Sequence, residues 1–329
     1  VTSVPILRIV SRDELATLIA AFIDDCQLAE LSPRTIYNYD RALRRYHWWC
    51  SQESMPLDVA DHTASTIRAF LLYLQTTTDR WDAPSTHTPS HQPVTARSRH
   101  AYHRILSRFY NWLVEQEYLD ETPMSKVRAP KFSAEQPDPF DDDELARLAA
   151  TLRNAPDDFR AERDRAIVAV LLDVGLRASE LCAIEVSHYD IATGDLLVIA
   201  GKGNKARQLR LGSRARRQVR RYWLRYRQFR GEVGGLFIGY RGTSLTRSGL
   251  QRVIRLLGET AVVDPCHPHR FRHTAAVSAI RAGMREFELQ MMLGHTSLEM
   301  TRRYVKLVEA DLVRAAREHS ALDHLKLNL

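Results

Sequence analysis

The sequence predicts a mainly α-helical chain in two domains: a small N-terminal helical bundle, then a mostly helical domain with one small antiparallel sheet. Three observations carry this expectation. Apolar residues recur at helical spacing through segment after segment. One stretch alone, DLLVIAGKGNKARQLRL, has the strand–turn–strand pattern. A segment with three prolines and mixed charge, SKVRAPKFSAEQPDPFDDDEL, separates two blocks of such helices.

In the first block, residues 12–30 place Leu15, Leu18, Ile19, Phe22 and Ile23 on one helical face. The next segment opens with Ser32-Pro33, a helix start signal, and carries Ile36, Tyr39, Leu43 and Tyr46 at the same period. Further helices are expected at about 62–75 and 95–118. The Thr/Ser/Pro/His-rich stretch between them has no composition for a core and reads as a loop. Residues 1–128 therefore form a helical bundle, and 129–138 form a linker containing Pro130 and Pro137.

The second domain spans 139–329. Helix resumes at Asp141–Asp143, whose carboxylates suit a helix N-terminus. Residues 161–174 read as a largely buried helix stopped by Gly175, and SELCAI begins another turn. LLVIA and RQLRL pair across a tight turn that holds Lys202 and Lys205. Residues 213–230 return to helix, with Val219, Tyr222, Trp223 and Tyr226 on one face and arginines on the rest. Helices follow at about 246–260, 270–282 and 285–293, the last ending at Gly294. Next comes the segment with Tyr304, then a separate final helix at about 308–319.

The net charge of +7 over 329 residues favours a polyanionic partner. Residues 201–230 contain 12 Lys/Arg and no Asp/Glu, a block expected to attract phosphates. No stretch approaches the apolar length of a membrane span, and the N-terminal residues lack the pattern of a secretory leader. The four cysteines have no CxxC spacing, which points to a reducing, cytoplasmic setting. Cys266, His267, His269 and His273 are densely spaced, but no second Cys pair accompanies them and a helix there would turn them apart, so zinc is not expected. There is no GxxxxGK[ST] loop, so no nucleotide is implied.

The chemistry lies in CHPHRFRHT at 266–274 and LGHTSLEMTRRY at 293–304, with Arg177 upstream in GLRASEL. Together they offer histidines, arginines and a phenol. Cleaving a phosphodiester without metal places extra negative charge on non-bridging oxygens, which planar guanidinium forks match. An attacking phenol must lose a proton and a leaving sugar oxygen must gain one, tasks for His and Lys. The product is a phosphotyrosyl intermediate that conserves the bond for rejoining.

In this order the motifs resemble the tyrosine recombinase, or phage integrase, family, and its Xer-like members in particular. GLRASEL matches the first arginine motif, GKGNKAR the hairpin lysine motif, HPHRFRHT the His-x-x-Arg motif and LGHTSLEMTRRY the closing His and Tyr motif. The His295 to Tyr304 interval, 304 − 295 = 9, is the family's usual one. Phe271 stands where Leu is common, and the N-terminal Ser/Thr/Pro/His loop is longer than usual.

The resemblance implies a core-binding bundle and a catalytic domain that clamp duplex DNA. Tyr304 would be the nucleophile. Arg177 and Arg272 would hold the non-bridging oxygens, and Lys202 would protonate the leaving 5′ oxygen, with Lys205 as its rival. His269 would assist proton transfer at the attacking phenol, His295 would donate to the phosphate, and Glu180 would support Arg177. It further implies site-specific exchange through a Holliday junction between paired recognition sites. The reaction would use four protomers, as a homo- or hetero-tetramer near the nucleoid, and neither metal nor ATP. The tail, with Val308, Leu312, Ala315, Ala316, Leu322 and Leu325 in an apolar stripe, would dock on a neighbouring protomer. The arginine-bearing segments SPRTIYNYDRALRR and TARSRHAYHR are candidate DNA-facing helices. Two alternatives remain open: a type IB topoisomerase-like enzyme that relaxes supercoils, and a DNA-binding regulator without activity.

Overall fold

The computed structural model describes residues 14–78, 93–132, 138–199, 206–229 and 233–318, with side chains as far as 309. The chain divides into two compact units, Val1–Glu135 and Gln136–Leu329.

Among the described residues the first unit holds four α-helices: α1 (Glu14–Leu28), α2 (Pro33–Gln52), α3 (Ala64–Thr76) and α4 (Ala96–Glu115). Ser32 starts α2 by accepting the Thr35 amide on its hydroxyl, with Pro33 in the first turn, as its sequence signal predicts. The helical stripes meet in a core of Leu15, Phe22, Leu43, Tyr46, Phe70 and Phe109. Two phenols inside it need partners. Tyr46 and Tyr110 bond to one another at 3.0 Å and share His62 Nδ1, whose other nitrogen lies 2.7 Å from the Pro56 carbonyl.

The second unit begins with α5 (Asp142–Asn154). Asp141 accepts the Glu144 amide at 2.7 Å and Glu144 returns a bond to the Asp141 amide. Then come α6 (Phe159–Val174), α7 (Ala178–Cys182), β1 (Asp195–Val198), β2 (Arg207–Arg210) and α8 (Ser213–Arg225). They are followed by α9 (Arg247–Ala261), α10 (Pro268–Arg281), α11 (Glu286–Leu293) and α12 (Glu299–Glu318). The sheet is one antiparallel pair, with Leu196 opposite Leu209. Helix α6 packs on α8 and α10, so Ala161 and Val168 are buried as well as Ala166, Ile167, Val170 and Leu171, and the buried residues lie around the helix rather than along one stripe.

Two readings of the sequence change here. Tyr304 does not lie before a separate last helix: it sits on α12, which runs unbroken from Glu299 to Glu318. That span contains neither glycine nor proline, so nothing interrupts it. The basic block is not a uniform phosphate-facing surface either. Arg221 and Arg225 pair with Asp157 and with the fully buried Glu162, and Arg227 donates to the Gly235 and Val233 carbonyls. These three have partners within the fold, although Arg221 and Arg225 remain about half exposed.

Lys202 and Lys205 lie outside the described residues, as do the tail residues Leu322 and Leu325. Among the described residues no helix is long and apolar enough to cross a membrane.

Candidate active site

The site is built on the C-terminal end of α11. Gly294 ends that helix with φ 64°, a left-handed conformation that favours glycine. A side chain there would also strike Arg207, since a Cβ would lie 2.8 Å from its Nη1. The last carbonyls of a helix lack intrahelical partners and form the negative end of its dipole. Three guanidiniums gather on them. Arg207 Nε donates to Met292 O at 2.9 Å, Arg272 Nη2 to Leu293 O at 2.8 Å, and Arg177 Nη2 to Gly294 O at 3.0 Å.

Three different elements deliver these arginines. Arg177 follows the turn at Gly175, whose φ of 60° stops α6 and brings the chain against Leu293. Arg272 projects from α10 and is 1% exposed; its Nη1 donates to Gly175 O at 2.7 Å. Arg207 opens β2.

One carboxylate ties the group together. Glu180 Oε1 accepts from Arg177 Nη1 at 2.8 Å and from Arg207 Nη1 at 3.0 Å. Its Oε2 accepts from the Arg177 amide at 2.8 Å and from Arg207 Nη2 at 2.9 Å. Burial would raise the Glu180 carboxyl, but Arg207 and the Arg177 amide outweigh it and hold it below its ordinary value. With three guanidiniums around one carboxylate, the cluster keeps a net positive charge. Burial, then Arg177, pull Arg272 down to about 10, so it is still charged at neutral pH.

His295 directly follows Gly294. Its Nδ1 lies 2.9 Å from the hydroxyl of the fully buried Thr301, and its ring stacks on that of Tyr304 with centroids 6.2 Å apart. Tyr304 is 2% exposed and packs against Ala276, Val277, Leu289 and Leu293. Its hydroxyl is 2.8 Å from His273 Nδ1. His273 in turn packs edge-to-face on His269, four residues earlier on α10, with centroids 4.3 Å apart. Burial raises the Tyr304 phenol, opposed by Arg272, Arg303 and Arg177.

A family model described as the phage integrase family matches residues 139–310. The chain belongs to the phage integrase family. A second model, the phage integrase N-terminal SAM-like domain, matches residues 18–120. Tyrosine recombinase XerC of Azotobacter vinelandii is 30% identical over 87% of this chain and 90% of its own length. Tyrosine recombinase XerD of Shewanella oneidensis is 28% identical over 92% and 96%. In fold, the chain is similar to the XerH site-specific recombinase bound to palindromic difH substrate. That match has a TM-score of 0.70 and 17% identity, and covers 93% of this chain and 84% of that one. It is also similar to a lambda integrase dimer bound to a COC′ core site, with a TM-score of 0.67, 16% identity, and coverage of 88% and 76%.

The integrase fold thus brings Arg177, Arg272, His295 and Tyr304 to one place, and Lys202 lies outside the described residues. His269 stands differently from expectation. Expected beside the phenol, it is exposed, and the bond to the Tyr304 hydroxyl goes to His273. Two residues escaped the sequence reading. His273 is placed by its i, i+4 relation to His269. Arg207 shares the inward face of β2 with Leu209, a period-two relation legible in RQLRL. Cys266, His267, His269 and His273 do not form a metal-binding group among the described residues.

The histidines make acid stability testable. Burial, followed by nearby cations, lowers His273 to about 3 and His295 to about 3. His269 falls to about 4, because partial burial and then Arg272 disfavour its charged form. A histidine whose folded pKa is depressed stays neutral in the fold while the unfolded chain takes up a proton. The contribution is complete above about pH 6.5 and declines as the pH falls towards 3. The slope is about 1.4 kcal/mol per pH unit for a buried group such as His273 and smaller for the exposed His269. His273 alone is expected to lower unfolding free energy by about 2 kcal/mol between pH 6.5 and pH 5. Urea denaturation at the two pH values measures this, and an unchanged midpoint would contradict it.

Proposed function

We propose that this chain is a site-specific DNA recombinase that cuts and rejoins DNA through a 3′-phosphotyrosyl intermediate on Tyr304. The observation that carries the reading is the convergence of Arg177 and Arg272, from separate elements, on adjacent carbonyls of one turn that leads into His295. A phosphodiester entering there would exchange weak carbonyl partners for a charged one, and the forks would stabilise the oxygens that gain charge at the transition state. With Thr301 donating its hydroxyl proton to Nδ1, His295 carries its own proton on Nε2 and can donate it to the phosphate. Glu180 orients Arg177 without cancelling the cluster, because Arg207 shares its charge.

The steps follow from those roles. The Tyr304 oxygen attacks phosphorus, and the bond to the 5′ oxygen breaks. That oxygen takes a proton from Lys202, with Lys205 the competing donor. A 5′ hydroxyl of a partner duplex then attacks the phosphotyrosine, and two rounds of exchange pass through a Holliday junction. Four protomers, identical or of two kinds, would assemble on paired recognition sites in the cytoplasm. Relatives described as XerC and XerD tyrosine recombinases support exchange over simple supercoil relaxation and over an inactive regulator.

The test is a nicked duplex that traps cleavage. The native chain is expected to form a covalent adduct that maps to the peptide containing Tyr304, and Tyr304→Phe is expected to form none. Adduct persisting in Tyr304→Phe would refute the assignment. Relaxation of a plasmid lacking any paired site would favour the topoisomerase-like alternative.

A further inference from the structure

The phenol has its proton acceptor already in place, and it is not the histidine that the motif suggests. Tyr304 and His273 are 2% and 3% exposed, and 2.8 Å separates Oη from Nδ1. The hydroxyl is largely buried, so the group already bonded to it is the nearest acceptor for its proton. The distance is within the range required of a general base. His273 Nε2 is buried without a hydrogen-bond partner, an expense that a purely structural histidine would be expected to avoid.

We propose that His273 is a catalytic residue whose Nδ1 accepts the Tyr304 proton during strand cleavage and returns it during rejoining. This rests on the reading of Tyr304 as the nucleophile. The Tyr304 O–H bond breaks and its proton joins the lone pair on His273 Nδ1. The freed oxygen pair forms the bond to phosphorus, while the 5′ oxygen departs with its own pair and is protonated by a separate acid. On rejoining, the phosphotyrosyl bond breaks and the imidazolium gives the proton back to the phenolate.

The surroundings explain why the transfer waits for DNA. From its own helix His273 faces His267, His269 and Arg272, and from α12 it faces Arg303 and Tyr304. In the empty site burial and this positive surround keep the imidazole neutral, with its lone pair available but weakly basic. A bound phosphodiester brings negative charge against Arg272 and Arg177. That offsets the cationic field on His273, raising its basicity at the moment the phosphate is in position. The phenol is bonded to His273 rather than to His269, which packs edge-to-face on the base.

Two substitutions test this. His273→Asn places an amide oxygen near the position of Nδ1, keeping a hydrogen-bond acceptor without a titratable base; His273→Gln does so with a longer reach. Thermal melting selects the variant that folds. Single-turnover adduct formation is expected to slow by about 10²–10⁴-fold while DNA affinity stays within about threefold. Its rate is expected to rise with pH as solvent hydroxide takes over. Incorporating a fluorinated tyrosine of lower phenol pKa at position 304 is expected to restore at least about tenfold of the lost rate. Variants that cleave at the native rate or faster, or a fluorinated phenol that restores nothing, would overturn the assignment. If the native chain itself forms no adduct, the nucleophile reading fails instead, so the two failures are distinct.

Discussion

Arg272→Ala is expected to reduce the single-turnover rate of covalent adduct formation by about 10³–10⁵-fold, the range for a guanidinium that meets transition-state charge on a phosphoryl group. The size follows from its position. Arg272 is 1% exposed, and in the empty site it donates to the Gly175 and Leu293 carbonyls. Its charge is therefore held where little water screens it, and it requires no reorganisation when the transition state forms. Arg272→Lys is expected to recover little, because an ammonium cannot span two acceptors with the geometry of a planar fork. DNA affinity is expected to change by less than about tenfold, since many other phosphate contacts contribute to binding. Measuring adduct yield at saturating DNA separates the effects. Near-native cleavage by Arg272→Ala would remove it from the phosphate site.

How far the sequence reached can be argued residue by residue. The helices of both units follow from apolar periodicity and local stop signals: Ser32-Pro33 opens α2, Asp141 caps α5, and Gly175 and Gly294 end α6 and α11. These signals act over a few residues, so they are visible without tertiary structure. Tyr304 lies on α12 rather than ahead of the last helix, since the chain from Glu299 to Glu318 contains no glycine or proline to break it. The arginines of the motifs were legible as residue types, but not the turn that collects them. That Arg177, Arg207 and Arg272 share the end of α11 depends on residues up to 117 positions apart, from Arg177 to Gly294, and no local pattern encodes such a meeting. His273 was visible as a histidine on the helical face of His269. Which of the two meets the phenol is decided by how α12 packs on α10, a tertiary relation. Part of the basic block was not legible for a related reason. Charge counting treats every arginine as available to a partner, whereas Glu162 and Asp157 on and beside α6 take up Arg221 and Arg225.

Glu180→Ala is expected to destabilise the second unit by about 3–5 kcal/mol, the range for breaking a buried ion pair from one side. Glu180 is 7% exposed and is the shared acceptor for two guanidiniums, with Arg272 at 4.0 Å from its Oε2. Its removal would leave Arg177, Arg207 and Arg272 crowded together with no carboxylate among them. Their remaining partners at the end of α11 are carbonyl dipoles, which attract a cation far less than an ion does. Urea denaturation of the full chain measures the loss. A double-mutant cycle with Arg207→Met shows its origin. If like-charge repulsion dominates, the second substitution removes one of the crowded cations, and the double variant is expected to be less unstable than the sum of the singles by at least about 1 kcal/mol. Strict additivity would mean that Glu180 and Arg207 act independently. The same substitution is expected to slow cleavage as well, because Arg177 loses both the carboxylate at its Nη1 and the cap on its amide and is no longer held in one orientation towards the phosphate. DNA bound at saturation supplies an anion to the crowded cations, so it is expected to raise the melting temperature of Glu180→Ala more than that of the native chain. A larger gain in the native protein would show that the cluster is not short of negative charge, and that Glu180 contributes geometry alone.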